Sequence, residues 1–67
     1  MSVARVTEII SSSTTGFEDA VSSGIARANT TLSGIQGAWV KDTKVSVTDG
    51  NITEWRVVLK ITFILKD

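Results

Sequence analysis

From Ile52 to Leu65 the chain alternates without interruption. Odd positions hold Thr53, Trp55, Val57, Leu59, Ile61, Phe63 and Leu65, and even positions hold Ile52, Glu54, Arg56, Val58, Lys60, Thr62 and Ile64. Successive strand side chains point to opposite faces, so a period of two predicts a β-strand with one continuous apolar face and one mixed, polar face. At about 3.3 Å per residue such a strand runs about 46 Å, against about five or six residues for an ordinary strand. A chain of 67 residues has little left with which to cover that ribbon. The pattern therefore points to assembly before it points to any reaction, and a charge placed at Leu59 or Ile61 is expected to prevent assembly.

Composition narrows how such a chain becomes stable. Its length suits a single domain, residues 1–67. Seven Lys plus Arg balance seven Asp plus Glu, and no basic run stands out, so neither nucleic acid nor an anionic membrane is an expected partner. A chain this small buries only about 60% of its unfolded surface and needs further support. With no Cys and no His, disulfides and thiolate or imidazole metal sites are excluded, which leaves oligomerisation as the remaining common route. No apolar run approaches the roughly 18 residues that span a bilayer. Met1–Arg5 leads into an alternating stretch rather than a signal-peptide core, so the cytoplasm is the expected location. Catalysis is not expected, because without His, Cys or Tyr no base and nucleophile can be paired from the spacing of the remaining groups.

In chain order, Val3 to Ile10 reads as a first strand, and Ser11 to Gly16 as a polar loop leading to a helix. Thr15 with Glu18 has capping-box spacing, and Gly16 with Asp19 is the alternative frame. Phe17, Ala20, Val21, Gly24, Ile25, Ala28, Thr31 and Leu32 define one helical face over about 17 residues, with Gly34 as the stop. Gly24, costly inside a helix, implies a close approach of that turn to another backbone. A second strand runs from Ala38 to Thr48, its phase broken around Lys41 to Lys44 in the manner of a bulge. Thr48-Asp49-Gly50-Asn51 is a hairpin turn into the third strand. Trp55 opens the apolar stripe and is assigned to the core. The expected fold is α+β, in the order β-α-β-β, with a three-stranded antiparallel sheet packed on one helix and the third strand at its centre.

Several local strings, in order, resemble the dodecin family. They are Val6-Thr7-Glu8-Ile9-Ile10 before the Ser/Thr loop, Phe17-Glu18-Asp19-Ala20 opening the helix, Ala26-Arg27-Ala28 with Thr31-Leu32 near its end, Asp49-Gly50, Trp55-Arg56-Val57 and Lys60-Ile61-Thr62-Phe63. The resemblance implies a hollow homododecamer that stores or sequesters a small ligand without turning it over, with a flavin (riboflavin, FMN or FAD) as the leading cofactor. It also implies stacking on a tryptophan just inside strand two and a glutamine contact from strand three. Here Gly37 stands in the tryptophan column, Trp39 lies two residues on, and Arg56 replaces the glutamine. Trp39 would stack on the ring and Arg56 would bond to its carbonyls or to a phosphate.

Alternatives remain open at each position. In the alternative, Trp39 packs at a subunit contact and Arg56 is a solvated or subunit-bridging charge. The alternative function is a structural shell, or one that holds calcium or another divalent ion through carboxylates. Asp42, Asp49 and Asn51 lack the ligand alternation of a calcium loop, so such a site would have to be assembled from several chains.

Overall fold

The computed structural model describes residues 3–65. Met1 and Ser2, part of the segment considered above for an export signal, lie outside them. The elements are β1 (Ala4–Ser13), α1 (Phe17–Ala28), β2 (Ile35–Thr48) and β3 (Asn51–Ile64). They form one antiparallel sheet in the order β1-β3-β2, with the most apolar strand at its centre. The alternation of β3 decides what is buried. Val57, Leu59 and Ile61 have no solvent exposure, and they pack with Ala20 and Ala28 of α1. Ile9, Val21, Ile25, Leu32 and Ile35 close the rim of this core. Toward either end of the same stripe cover fails, and Trp55 and Phe63 are only half-buried. One helix seals the middle of the ribbon and no more.

β1 does not end at Ile10. Ser11, Ser12 and Ser13 continue the ladder opposite Val57, Arg56 and Trp55, because small side chains at this level let α1 lie close to the strand. A Cβ built on Gly24 would stand 2.9 Å from Ser11 Cβ and 3.1 Å from Leu59 Cδ1. The close approach expected of Gly24 is real, and it is made against side chains. Gly16 is the N-cap residue and gives the helix no side-chain cap. The Ser13 hydroxyl instead fixes the turn that leads into the helix: its Oγ accepts from the Thr15 and Gly16 amides (2.9 and 3.3 Å) and donates to Asp19 Oδ2 in the first turn (2.6 Å).

The helix is 12 residues long, shorter than the hydrophobic spacing predicted. Thr30 Oγ1 donates to the Arg27 carbonyl (2.7 Å) and Thr31 Oγ1 to that of Ala28 (3.3 Å). The Thr30 and Thr31 amides bond those same carbonyls, three residues back. Local hydroxyl bonds of this kind compete with the helical ladder, and an Asn-Thr-Thr run has low helix propensity. Gly34 therefore does not end the helix. With φ of +76° it turns the chain into β2, and its carbonyl accepts from the Ile64 amide at 3.0 Å. β2 accordingly starts at Ile35, ahead of the expected Ala38, because Ile35 pairs with Phe63.

The hairpin follows its sequence. Asp49 and Gly50 both have positive φ, 52° and 77°, the pair of values that matches the twist of the flanking strands. Register shifts fall between Val40 and Asp42 and between Ser46 and Val47, with a third between Ile35 and Gly37 at the start of β2. The first leaves Lys41 unpaired on β2 and the second leaves Thr53 unpaired on β3, so the two cancel beyond Lys41. α1 packs across β1 and β3, and nearly all of β2 is exposed.

Candidate functional site

The face of the sheet turned away from α1 can be read from the register. Since Val57, Leu59 and Ile61 face the helix, Arg56, Val58, Lys60 and Thr62 face outward, and their partners project beside them. Four rows result: Val6, Thr62 and Gly37; Glu8, Lys60 and Trp39; Ile10, Val58 and Asp42; Ser12, Arg56 and Lys44. All three residues singled out in the sequence, Gly37, Trp39 and Arg56, lie on this one face.

Trp39 is 55% exposed, a large flat ring offered to whatever approaches the sheet. Gly37 is its neighbour on the same face, and a Cβ built there meets nothing within 4 Å. The tryptophan thus stands beside bare backbone, a step rather than a closed pocket. Arg56 is two rows away, about 13 Å along the strand at about 3.3 Å per residue. It is also engaged locally, with Nη2 donating to Glu54 Oε1 at 2.8 Å and Nε to Ser12 Oγ at 3.4 Å. Within one subunit Trp39 and Gly37 are brought together and Arg56 is not.

The residue directly opposite Trp39 is Lys60, which sequence reasoning left as part of a polar face. Its place could have been counted from the Asp49-Gly50 turn, since the two bulges cancel before Trp39 is reached. On the far side of Lys60, Glu8 Oε1 takes the Lys41 ammonium at 3.3 Å, an ion pair that crosses the central strand. Both partners are half in water, where such a pair contributes little stability. Its consequence is electrostatic: Glu8 and Glu54 are each matched by a cation, while Lys60 forms no ion pair among the described residues. Asp42, one row on, forms none either, so a free cation and a free anion both flank Trp39 on this face among the described residues.

A second concavity, about 330 Å³, lies where β1 meets the helix and is lined by Ser12, Ser13, Thr14, Asp19 and Glu54. It brings two carboxylates toward hydroxyls, and Asp19 is already bonded to Ser13. Among the described residues no group of three or more His, Cys, Asp or Glu converges as a metal site, and no helix is long and apolar enough to cross a membrane.

The family model that matches this chain is Dodecin, over residues 3–66. Solved structures agree. A dodecin from Streptomyces davaonensis is 33% identical, with a TM-score of 0.93 and coverage of 98% of this chain and 97% of that one. A point mutant of Thermus thermophilus dodecin is 28% identical with a TM-score of 0.95, and each chain is covered in full. The calcium-chelating antigen of Mycobacterium tuberculosis, described as a calcium dodecin with a novel calcium-binding site, is 29% identical with a TM-score of 0.82, covering 96% of this chain and 91% of that one. Among curated proteins none matches the chain.

Proposed function

This chain belongs to the dodecin family, and from that premise we propose that it is a non-catalytic binding protein whose copies assemble into a dodecameric shell that sequesters a flavin. The observation that carries the ligand is Trp39, more than half exposed on a strand beside the bare backbone of Gly37. A tricyclic ring can lie flat on such an indole, and aromatic faces prefer offset stacking of this kind. Lys60, opposite Trp39, supplies a cation for the ring carbonyls or a phosphate. Arg56 joins the site by reaching from a second copy, since in its own subunit it is turned to Glu54 and Ser12. The cytoplasm is the proposed compartment.

The alternative is a shell that holds calcium, favoured by the Mycobacterium relative and by the polar concavity with Asp19 and Glu54. Ca²⁺ takes six to eight oxygens, and here Asp19 is bonded to Ser13 and Glu54 is paired with Arg56, so carboxylates from further copies would complete the site.

Fluorescence separates the readings. Riboflavin or FMN titrated with the protein is expected to lose its emission on stacking, and Trp39→Ala is expected to restore it. Full quenching by the Trp39→Ala variant removes Trp39 from the site. No quenching by the native protein, with a saturable calcium-binding isotherm in its place, establishes the alternative.

A further inference from the structure

The register sets Glu8 directly opposite Lys60, in the row that ends on Trp39. Opposite charges placed in this way ordinarily pair with each other. Here they do not. Glu8 Oε1 accepts from Lys41 Nζ at 3.3 Å, across the central strand, between strands that lie two spacings apart, about 9.6 Å. Lys41 is the bulged residue of β2, without a partner between Val40 and Asp42, and a bulge re-aims the side chain that it carries.

The second carboxylate near Lys60 is diverted as well. Asp42 stands one row on, diagonal to Lys60, and its Oδ1 accepts from the Thr43 amide at 2.9 Å. Both neighbouring anions are thus held by one irregular stretch, Lys41 to Thr43, and Lys60 forms no ion pair among the described residues. Arg56 and Lys44, the other cations placed on this face by the pairing, are two rows from Trp39. Stability does not account for the arrangement. The Lys41 and Glu8 side chains are 52% and 48% exposed, where a pair contributes little, and a regular strand would have offered Glu8 the partner already opposite it.

We propose that the Lys41–Glu8 pair is a specificity element of the Trp39 site: by occupying Glu8 it keeps the Lys60 ammonium available to an acceptor oxygen of the ring-bearing ligand that stacks on Trp39. That oxygen belongs to a ring carbonyl or to a phosphate. Lys41 and Glu8 are positioning residues, acting through Lys60. Without Lys41, Glu8 turns to Lys60 and neutralises it before the ligand arrives. The inference rests on Trp39 as the stacking platform proposed above.

A double-mutant cycle separates this coupling from a simple loss of charge. FMN and riboflavin affinities are read from the quenching of flavin emission. Lys60→Met is expected to weaken binding up to about five-fold, the size of an exposed charge pair, and to cost nothing further in a Lys41→Met chain. Adding Glu8→Gln to Lys41→Met is expected to restore the native affinity and, with it, the cost of Lys60→Met. Losses shared by both flavins place the ammonium on ring carbonyls, and losses confined to FMN place it on the phosphate. The cycle is repeated without flavin in a Trp55→Phe chain, where Trp39 is the only tryptophan, with iodide as an anionic quencher of its emission. Lys60→Met is expected to reduce iodide quenching unless Lys41 is already replaced. Where flavin binds, its own cycle decides: a Lys60→Met cost that is equal with and without Lys41, or absent from the native background, overturns the inference and leaves Trp39 as the platform. Where the native protein quenches no flavin, the function proposed above falls, and the same comparison in iodide decides the inference alone.

Discussion

Gly24 sets how near α1 comes to the sheet, and two effects oppose each other there. Replacing a helix-interior glycine by alanine ordinarily stabilises by about 1 kcal/mol. Here the added methyl group meets Ser11 Cβ at 2.9 Å and Leu59 Cδ1 at 3.1 Å, and overpacking a core costs about 1–3 kcal/mol. Neither obstacle is the free end of a flexible chain, because Ser11 Cβ is fixed by the strand and Leu59 is fully buried. The clash wins. Gly24→Ala is expected to lower the thermal midpoint and Gly24→Val to lower it further. Ser11→Gly introduced alongside Gly24→Ala is expected to recover part of the loss. A midpoint raised by Gly24→Ala alone would show that the helix can retreat from the strand at small cost.

At the scale of the element, the third strand, the turn and the start of the helix at Phe17 were legible, whereas the end of the helix, the end of β1 and the start of β2 were not. β3 was readable because alternation over fourteen residues leaves only one face for Val57, Leu59 and Ile61. The hairpin was readable because Asp49-Gly50 fits the backbone found there, with both residues at positive φ. A β-carbon at Gly50, at φ of +77°, costs about 1–2 kcal/mol in the left-handed region. Gly50→Val is therefore expected to lower the urea midpoint by a corresponding amount, while Asp49→Gly is tolerated. Equal midpoints for Gly50→Val and the native chain would mean that the turn adopts another form. The helix was overread because its apolar spacing continues through Thr31 and Leu32, and nothing in a periodicity shows that Thr30 and Thr31 spend their hydroxyls on the carbonyls of Arg27 and Ala28. Ser11 to Ser13 were misread for the opposite reason. Polar composition signals a loop, but these serines form strand because a glycine-bearing helix needs small neighbours. Of the candidate site, the common face of Gly37, Trp39 and Arg56 followed from strand parity. Lys60 opposite Trp39 could be counted from the turn, because the two intervening bulges cancel, whereas the pairing of Arg56 with Lys44 depends on the bulge at Thr53.

The whole molecule has the wrong proportions for a protein that lives alone. Its radius of gyration is 13.8 Å, whereas a compact chain of this length would have about 11 Å. It measures 52 × 19 × 13 Å and exposes 4777 Å², where a folded monomer of its mass would show about 4,100 Å². The excess has an address: Ile10, Trp39, Val40, Val47 and Ile52, each 45% exposed or more, lie on β1, β2 and β3 where α1 does not reach. Leu59 and Ile61 are a different case. Both are sealed beneath the subunit's own helix, so a charge at either position unfolds the chain and says nothing specific about assembly. Val40 is the better probe, since it pairs with Leu59 yet remains 45% exposed. If association supplies the missing cover, folding and assembly are linked by mass action and the thermal midpoint depends on protein concentration. A tenfold dilution series read by circular dichroism is expected to show the midpoint falling at each step. Val40→Lys is expected to steepen that fall by weakening the contact without touching the sealed core. A midpoint constant across the series, with sedimentation as a folded monomer, would mean that the five apolar side chains buried among the described residues and a ribbon open to water suffice, and the case for a shell would end there.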